Sequence, residues 1–241
     1  MYFAFVFPWL CSGLSLSLKT GVELKILVLD SLEDVAQKSL EYVQGPRVAV
    51  SGGTTFAALF RHWLPEVKRK VGAGETLGFF PVDERAVPFE NPQCNWKVCC
   101  EELLIPAGLA AQRNHHVTTA LQYEELLRRE FAGDPVVFDQ IFLGMGEDGH
   151  TASLFPGGSY LQDRTSIVLD VVGPKPPPQR VTLGFKPLKE CETLVAIALG
   201  ASKASMVKRL CEGDAELPIA IAMAGHGNAV LLLDRAAAGL T

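Results

Sequence analysis

The chain is predicted to fold as a single α/β domain with a mostly parallel sheet flanked by helices. Three observations carry this. Strand-length apolar runs alternate with segments of helical periodicity along the chain, with no internal repeat. Several of those runs stop in glycine, serine or charged residues just before a helix begins, as parallel strands do at the edge of a sheet that carries a site. And 241 residues, 48% of them apolar and 20% charged, build one sizeable core and exclude a disordered or fibrous protein.

Residues 1–20 read as an apolar N-terminal extension with no assigned role, and 21–241 as the domain proper. Met1 to Leu18 has the apolarity of a signal peptide or an anchor. It lacks a Lys or Arg ahead of the apolar run, Pro8 interrupts it, and its length is marginal for a bilayer span. An extension packed on the domain, or an incorrectly assigned start, fits better than a targeting segment.

Leu24 to Leu29 is the first expected strand. Ser31 followed by Glu33 and Asp34 is an N-cap with acids in the first turn, so a helix follows to about Val43 and Gly45-Pro46 stops it. Arg47 to Val50 is a short strand delivering Ser51-Gly52-Gly53-Thr54-Thr55, and Phe56 to Leu64 has helical periodicity. Strand, small polar loop and helix suit an anion: glycines admit close approach of backbone N–H groups, hydroxyls add donors, and the helix N-terminus favours negative charge. No Gly-Lys-Ser/Thr follows, so this is not a Walker A loop.

Thr76 to Val82 reads as a strand that empties into a charged loop, Asp83-Glu84-Arg85-Ala86-Val87-Pro88. Such charges are costly at a strand end unless they face a cleft or pair with one another. Cys94-Asn95-Trp96 leads into a helix through Leu104. His115 and His116 are adjacent, without a carboxylate or cysteine at ligand spacing, and read as surface residues rather than metal ligands. Leu121 to Phe131 is a helix with Glu124-Glu125 and Arg128-Arg129 on a solvated face.

Val136 to Leu143 is the next expected strand, ending in Gly144-Met145-Gly146-Glu147-Asp148-Gly149-His150. Ser166 to Val172 and Gln179 to Leu183 are strands joined by a stiff proline-rich connection. Leu194 to Leu199 is a buried strand ending in Gly200 and Lys203 before a helix through Leu210. Ala229 to Leu233 is the last strand, with Asp234 capping a short terminal helix.

The net charge of −5 gives no electrostatic footprint for nucleic acid, so an anionic ligand must be held by a few local cations and backbone amides. Six cysteines without a C-x-x-C spacing, in a chain too long to need staples, read as reduced intracellular thiols.

Gly144-x-Gly146-x-x-Gly149 matches the dinucleotide fingerprint in letters and fails in mechanics. Pro156-Gly157-Gly158 stops any crossover helix within two turns, and Asp148 would sit where a pyrophosphate must approach. A small-molecule site with a histidine base fits better. An imidazole titrates in a range suited to proton transfer, and Asp148, two residues away, is placed to orient it or to act on the substrate.

Taken in order, Ser51-Gly52-Gly53-Thr54-Thr55, Asp83-Glu84-Arg85-x-Val87-Pro88, Leu143 to Pro156, Gln179-Arg180-Val181-Thr182 and Gly200-x-x-Lys203 resemble the motifs of 6-phosphogluconolactonases from about Val22 to the C-terminus. The resemblance implies a Rossmann-like fold of the glucosamine-6-phosphate deaminase and ribose-5-phosphate isomerase kind, and a cytoplasmic enzyme of the oxidative pentose phosphate pathway. Its substrate would be a sugar-phosphate lactone, with no cofactor, metal or nucleic acid, no stable membrane association, and a monomer or weak homodimer as the assembly. It assigns His150 and Asp148 to catalysis, and Gly52, Gly53, Thr54, Thr55, Asp83, Arg85, Asn95, Gly149, Arg180 and Lys203 to substrate and phosphate.

Two positions depart from the pattern: Phe56 stands where the family has proline, and Cys94-Asn95-Trp96 replaces Ser-Asn-Tyr. Neither removes a proposed catalytic group. The sibling deaminases carry a glutamate five residues beyond the histidine; here that position is Phe155, which cannot do acid–base work, so a lactonase is expected. A catalytically dead sugar-phosphate sensor is a third reading, which a retained Asp148–His150 pair argues against.

Overall fold

A computed structural model describes residues 14–17, 23–132 and 135–240. Ten strands and seven α-helices are found among them, in the order β1 (Leu14–Ser17), β2 (Glu23–Leu29), α1 (Leu32–Leu40), β3 (Val48–Val50), α2 (Gly53–Gly72), β4 (Phe79–Pro81), β5 (Asp83–Arg85), α3 (Asn95–Cys99), α4 (Ala120–Glu130), β6 (Gln140–Gly144), β7 (Val168–Val172), β8 (Gln179–Leu183), α5 (Phe185–Glu190), β9 (Thr193–Ala198), α6 (Ala204–Cys211), α7 (Pro218–Met223) and β10 (Ala229–Asp234).

Seven strands form one sheet in the order β1-β2-β10-β9-β6-β3-β4. β1 lies antiparallel to β2, and every other neighbouring pair is parallel. The six parallel strands therefore end at one edge, and the loops after β3, β6 and β9 leave from adjacent positions there. β5, β8 and β7 make a separate antiparallel sheet of three strands. The N-terminal extension contributes β1 to the large sheet, and residues 1–13 and 18–20 lie outside the described ones.

Strand side chains alternate between two cores, as a period of two requires. On β10, Val230 and Leu232 join Phe142, Phe56 and Trp63 beneath α1, α2 and α3. Ala229, Leu231 and Leu233 join Leu143, Tyr123, Phe185 and Val207 beneath α4, α5, α6 and the small sheet. All these strand residues are 4% exposed or less, so burial on both faces, not alternation with polar residues, is what the apolar runs recorded.

The observed elements correct some expectations. α2 runs on through Pro65, past the expected end at Leu64; the missing N–H costs one helical bond, but Phe60, Trp63 and Val67 stay buried along one face and hold the helix together. Asp83–Arg85 is a strand, not a loop, because it finds Arg180, Val181 and Thr182 as register partners. His115 is not at the surface: it is buried, stacked on Phe80 at 4.8 Å and on Trp96 at 6.1 Å, with Nδ1 2.7 Å from the Phe79 carbonyl. After Asp234 the chain makes turns rather than a helix.

Candidate active site

The C-terminal edge of the large sheet and the open face of the small one enclose a cleft of about 200 Å³. Ser51, Gly52, Gly53, Thr54 and Thr55 form one wall. Gly144, Met145, Gly146, His150 and Ala152 form the next, and Asp83, Arg85, Asn95, Arg180 and Lys203 close it.

The first wall is the N-terminus of a 20-residue helix. Gly52 is the N-cap of α2 and has no side chain to bond the first N–H groups, so they remain available to a ligand beside the hydroxyls of Thr54 and Thr55. The Ser51 hydroxyl accepts from the Gly144 N–H at 3.3 Å, tying the ends of β3 and β6 together. Gly52 cannot carry a side chain, since a Cβ there would overlap the Asn95 carboxamide.

The second wall is the loop after β6. Gly146 N–H donates to the His150 carbonyl at 2.8 Å, and the Thr151 hydroxyl donates to the Gly144 carbonyl at 2.8 Å, folding the loop back on its own strand. Asp148 Oδ1 then lies 2.5 Å from His150 Nδ1 and accepts the His150 backbone N–H at 3.2 Å. A carboxylate only accepts, so Nδ1 carries the proton and Nε2 is the basic nitrogen. Burial pushes the Asp148 carboxyl up, but the hydrogen bonds and charge of His150 outweigh it and hold it below the usual carboxylate range. The Phe155 ring packs against the imidazole at 4.7 Å, and the Arg180 guanidinium lies 5.7 Å from the same ring.

The third wall is built mainly by side chains of the small sheet, joined by Asn95 from α3 and Lys203 from the turn after β9. Arg85 on β5 is paired in register with Arg180 on β8. Two guanidinium groups directly across an antiparallel ladder repel. Each has a buried Nε with no hydrogen-bond partner among the described residues. Burial and the Arg85 charge both pull the Arg180 pKa down, against the attraction of Asp83 and Glu84. Such a pair calls for an anion. Arg85 also donates to the Asn95 carboxamide oxygen and to the Gln93 carbonyl at 3.2 Å. Asp83, 7% exposed, accepts from the buried Ser153 hydroxyl at 2.6 Å.

The structure thus brings to one cleft Gly52, Gly53, Thr54, Thr55, Asp83, Arg85, Asn95, His150, Arg180 and Lys203, all singled out from the sequence. Asp148 stands behind His150 and does not line the cleft. Gly149 does not line it either: it holds the turn at φ +80° under Leu217. Sequence reasoning gave no role to Ser153 or Glu84, although both stand inside quoted motifs, Leu143 to Pro156 and Asp83 to Pro88; a motif marks the stretch, not which side chain in it is buried against the site. Glu84, Cys94 and His116 bring metal-ligating atoms within 4.8 Å of one another. Their chemistry is taken up by hydrogen bonds: the Glu84 oxygens accept four donors, one of them the Cys94 thiol, and His116 Nε2 lies 3.1 Å from the Val87 carbonyl.

A family model described as glucosamine-6-phosphate isomerases/6-phosphogluconolactonase matches residues 21–231, and the chain belongs to that family. Human 6-phosphogluconolactonase is 36% identical over an alignment covering 97% of this chain and 94% of its own, and the rat protein of that name is 37% identical with 86% of each covered. The chain is an enzyme, a hydrolase of ester type. Among solved structures, the 6-phosphogluconolactonase of Leishmania guyanensis superposes with a TM-score of 0.74 over 88% of this chain and 96% of its own at 22% identity. A monomeric glucosamine-6-phosphate deaminase superposes with a TM-score of 0.67 over 90% and 99% at 20% identity, so lactonases and deaminases share the fold.

Proposed function

We propose that this protein hydrolyses 6-phospho-D-glucono-1,5-lactone to 6-phospho-D-gluconate, the second step of the oxidative pentose phosphate pathway, through a water activated by His150. The observation that carries the reading is the opposed Arg85–Arg180 pair, with its two unpartnered buried Nε–H groups, set across the cleft from the open N-terminus of α2. That arrangement suits a phosphate dianion, which arginine grips bidentately. The curated relatives named 6-phosphogluconolactonase support the same substrate.

His150 Nε2 takes a proton from water as the oxygen attacks C1 of the lactone. The resulting imidazolium is stabilised by Asp148 across the Nδ1 hydrogen bond. When the C1–O5 bond breaks, the imidazolium returns the proton to O5, which becomes the 5-hydroxyl, and C1 leaves as the acid. Arg85, Arg180 and Lys203 serve the phosphate and the developing oxyanion between them. Phe155 against His150 gives this site an apolar neighbour where the deaminase reading needs a second acid. Ester hydrolysis needs only the base, the water and the anchored phosphate. A cytosolic setting accords with the free thiols Cys94, Cys99, Cys100, Cys191 and Cys211, and no described helix is long and apolar enough to cross a membrane.

A coupled assay tests the reading. Glucose-6-phosphate dehydrogenase generates the lactone in place, and 6-phosphogluconate dehydrogenase reports its hydrolysis. Acceleration over the spontaneous rate is the expected outcome, with no ammonia released from glucosamine 6-phosphate. No acceleration, or turnover of the amino sugar instead, overturns it.

A further inference from the structure

Glu84 takes no part in the mechanism above, yet it is fully buried beside the cleft. It lies between Asp83 and Arg85 on β5, so strand alternation turns those two toward the cleft and Glu84 away from it, toward the start of α3. There its two oxygens gather four donors. Oε1 accepts the backbone N–H of Arg85 at 2.7 Å and of Asn95 at 2.8 Å. Oε2 accepts the backbone N–H of Trp96 at 2.6 Å and the Cys94 thiol at 3.3 Å. One side chain therefore spans the loop between β5 and α3 and fixes the backbone at both ends of the Arg85–Asn95 side-chain contact.

We propose that Glu84 is a positioning residue, which sets the geometry of the Arg85–Asn95 clamp and through it the affinity of the cleft for the phosphate of its substrate. The identity of that anion rests on the proposed function; the clamp does not. A carboxylate is the group this place needs. Four donors converge on it, and a carboxamide offers only one accepting oxygen, so its NH₂ would face a backbone N–H. A buried carboxylate is costly unless such donors surround it. Burial lifts the Glu84 pKa to about 7, and the hydrogen bonds from the Asn95, Trp96 and Arg85 N–H groups oppose the rise because they favour the carboxylate. His150 and Asp148 stand on a different element, the loop after β6, so with Arg85 on the phosphate, and the oxyanion left to the other cations, the effect falls on binding and spares the chemical step.

The test is Glu84→Gln in the full chain, with steady-state kinetics on the lactone and calorimetric titration with inorganic phosphate, in the wild-type and Arg85→Ala backgrounds. KM and the phosphate Kd rise about tenfold or more, as a clamp displaced by a fraction of an ångström dictates, while kcat stays within about threefold. In the Arg85→Ala background the further loss shrinks toward nothing, because both changes act through one clamp. Full additivity overturns the proposal, as does an unchanged phosphate Kd, or a fall in kcat with KM unmoved. If Glu84→Gln does not fold, Glu84→Asp, which keeps the charge but falls short of the Asn95 and Trp96 amides, is read in the same way. A wild type that binds phosphate through Arg85 without hydrolysing the lactone refutes the proposed function alone, and the phosphate titration still decides the role of Glu84.

Discussion

The two sheets feed the cleft by different means. The large parallel sheet acts through its strand ends: β3 delivers a helix N-terminus, β6 a loop that sets His150 against Asp148, and β9 the turn that carries Lys203. The small antiparallel sheet acts through side chains standing within its strands, Asp83 and Arg85 on β5 and Arg180 on β8. Strand ends supply main-chain donors and a base on a loop that can be shaped freely. A ladder supplies charges at a spacing its hydrogen bonds fix, even when the charges repel. On the proposed reading the base comes only from the parallel sheet, while the small sheet adds only grip, in the opposed pair Arg85 and Arg180.

The largest expected effect breaks the chemical half alone. His150→Ala lowers kcat by about 10² to 10⁴, the worth of a positioned base, with the phosphate Kd nearly unchanged. Comparable losses in kcat and Kd would show that the division between the two sheets is false. The next effect concerns the small sheet. Replacing Arg180 by methionine removes a repelling, partly unsatisfied buried cation, so the ligand-free protein gains about 1 kcal/mol of stability while phosphate affinity collapses. Thermal unfolding with and without phosphate reads both at once, and a less stable Arg180→Met protein would mean that the opposed pair is not strained.

The smallest effect is on acid stability. The Asp148 pKa is held below its ordinary value in the folded chain, so the folded state releases that proton more readily than the unfolded one. Its contribution is present above the unfolded pKa and is lost as pH falls through the folded one. Asp148→Asn therefore lowers stability near neutral pH, where the contribution is fully present, and the difference from wild type shrinks as pH falls below about 4, the ordinary range of aspartate, so the acid limb of the profile flattens. An unaltered acid limb would count against the His150–Asp148 pairing.

The same contrast explains what could be read from the chain alone. The parallel strands were legible because burial on both faces writes continuous apolar runs, and their glycine-rich ends marked the loops that carry His150 and Lys203. β5 was not. Three consecutive charged residues look like a loop until Thr182, Val181 and Arg180 are known to lie beside them, and nothing local announces that pairing. The burial of His115 between Phe80 and Trp96 is equally non-local. α2 outruns its expected end at Leu64 for the opposite reason: Pro65, a local helix breaker, is overruled by the apolar face packed along the helix. Of the site, the cations were visible by their positions, whereas Glu84 and Ser153 act through partners that only the folded chain brings close.

The close approach of Gly52 and Asn95 ties two walls of the cleft together. A methyl group at Gly52 meets the Asn95 carboxamide, so no side chain larger than hydrogen is tolerated there. The Asn95 Cβ itself lies 2.5 Å from that methyl position, so shortening the asparagine to alanine leaves the overlap in place. A side chain at Gly52 would therefore push against the start of α3 and carry the Asn95 carboxamide away from Arg85. What holds position 52 to glycine is the path of the α3 backbone, whatever side chain that helix start carries.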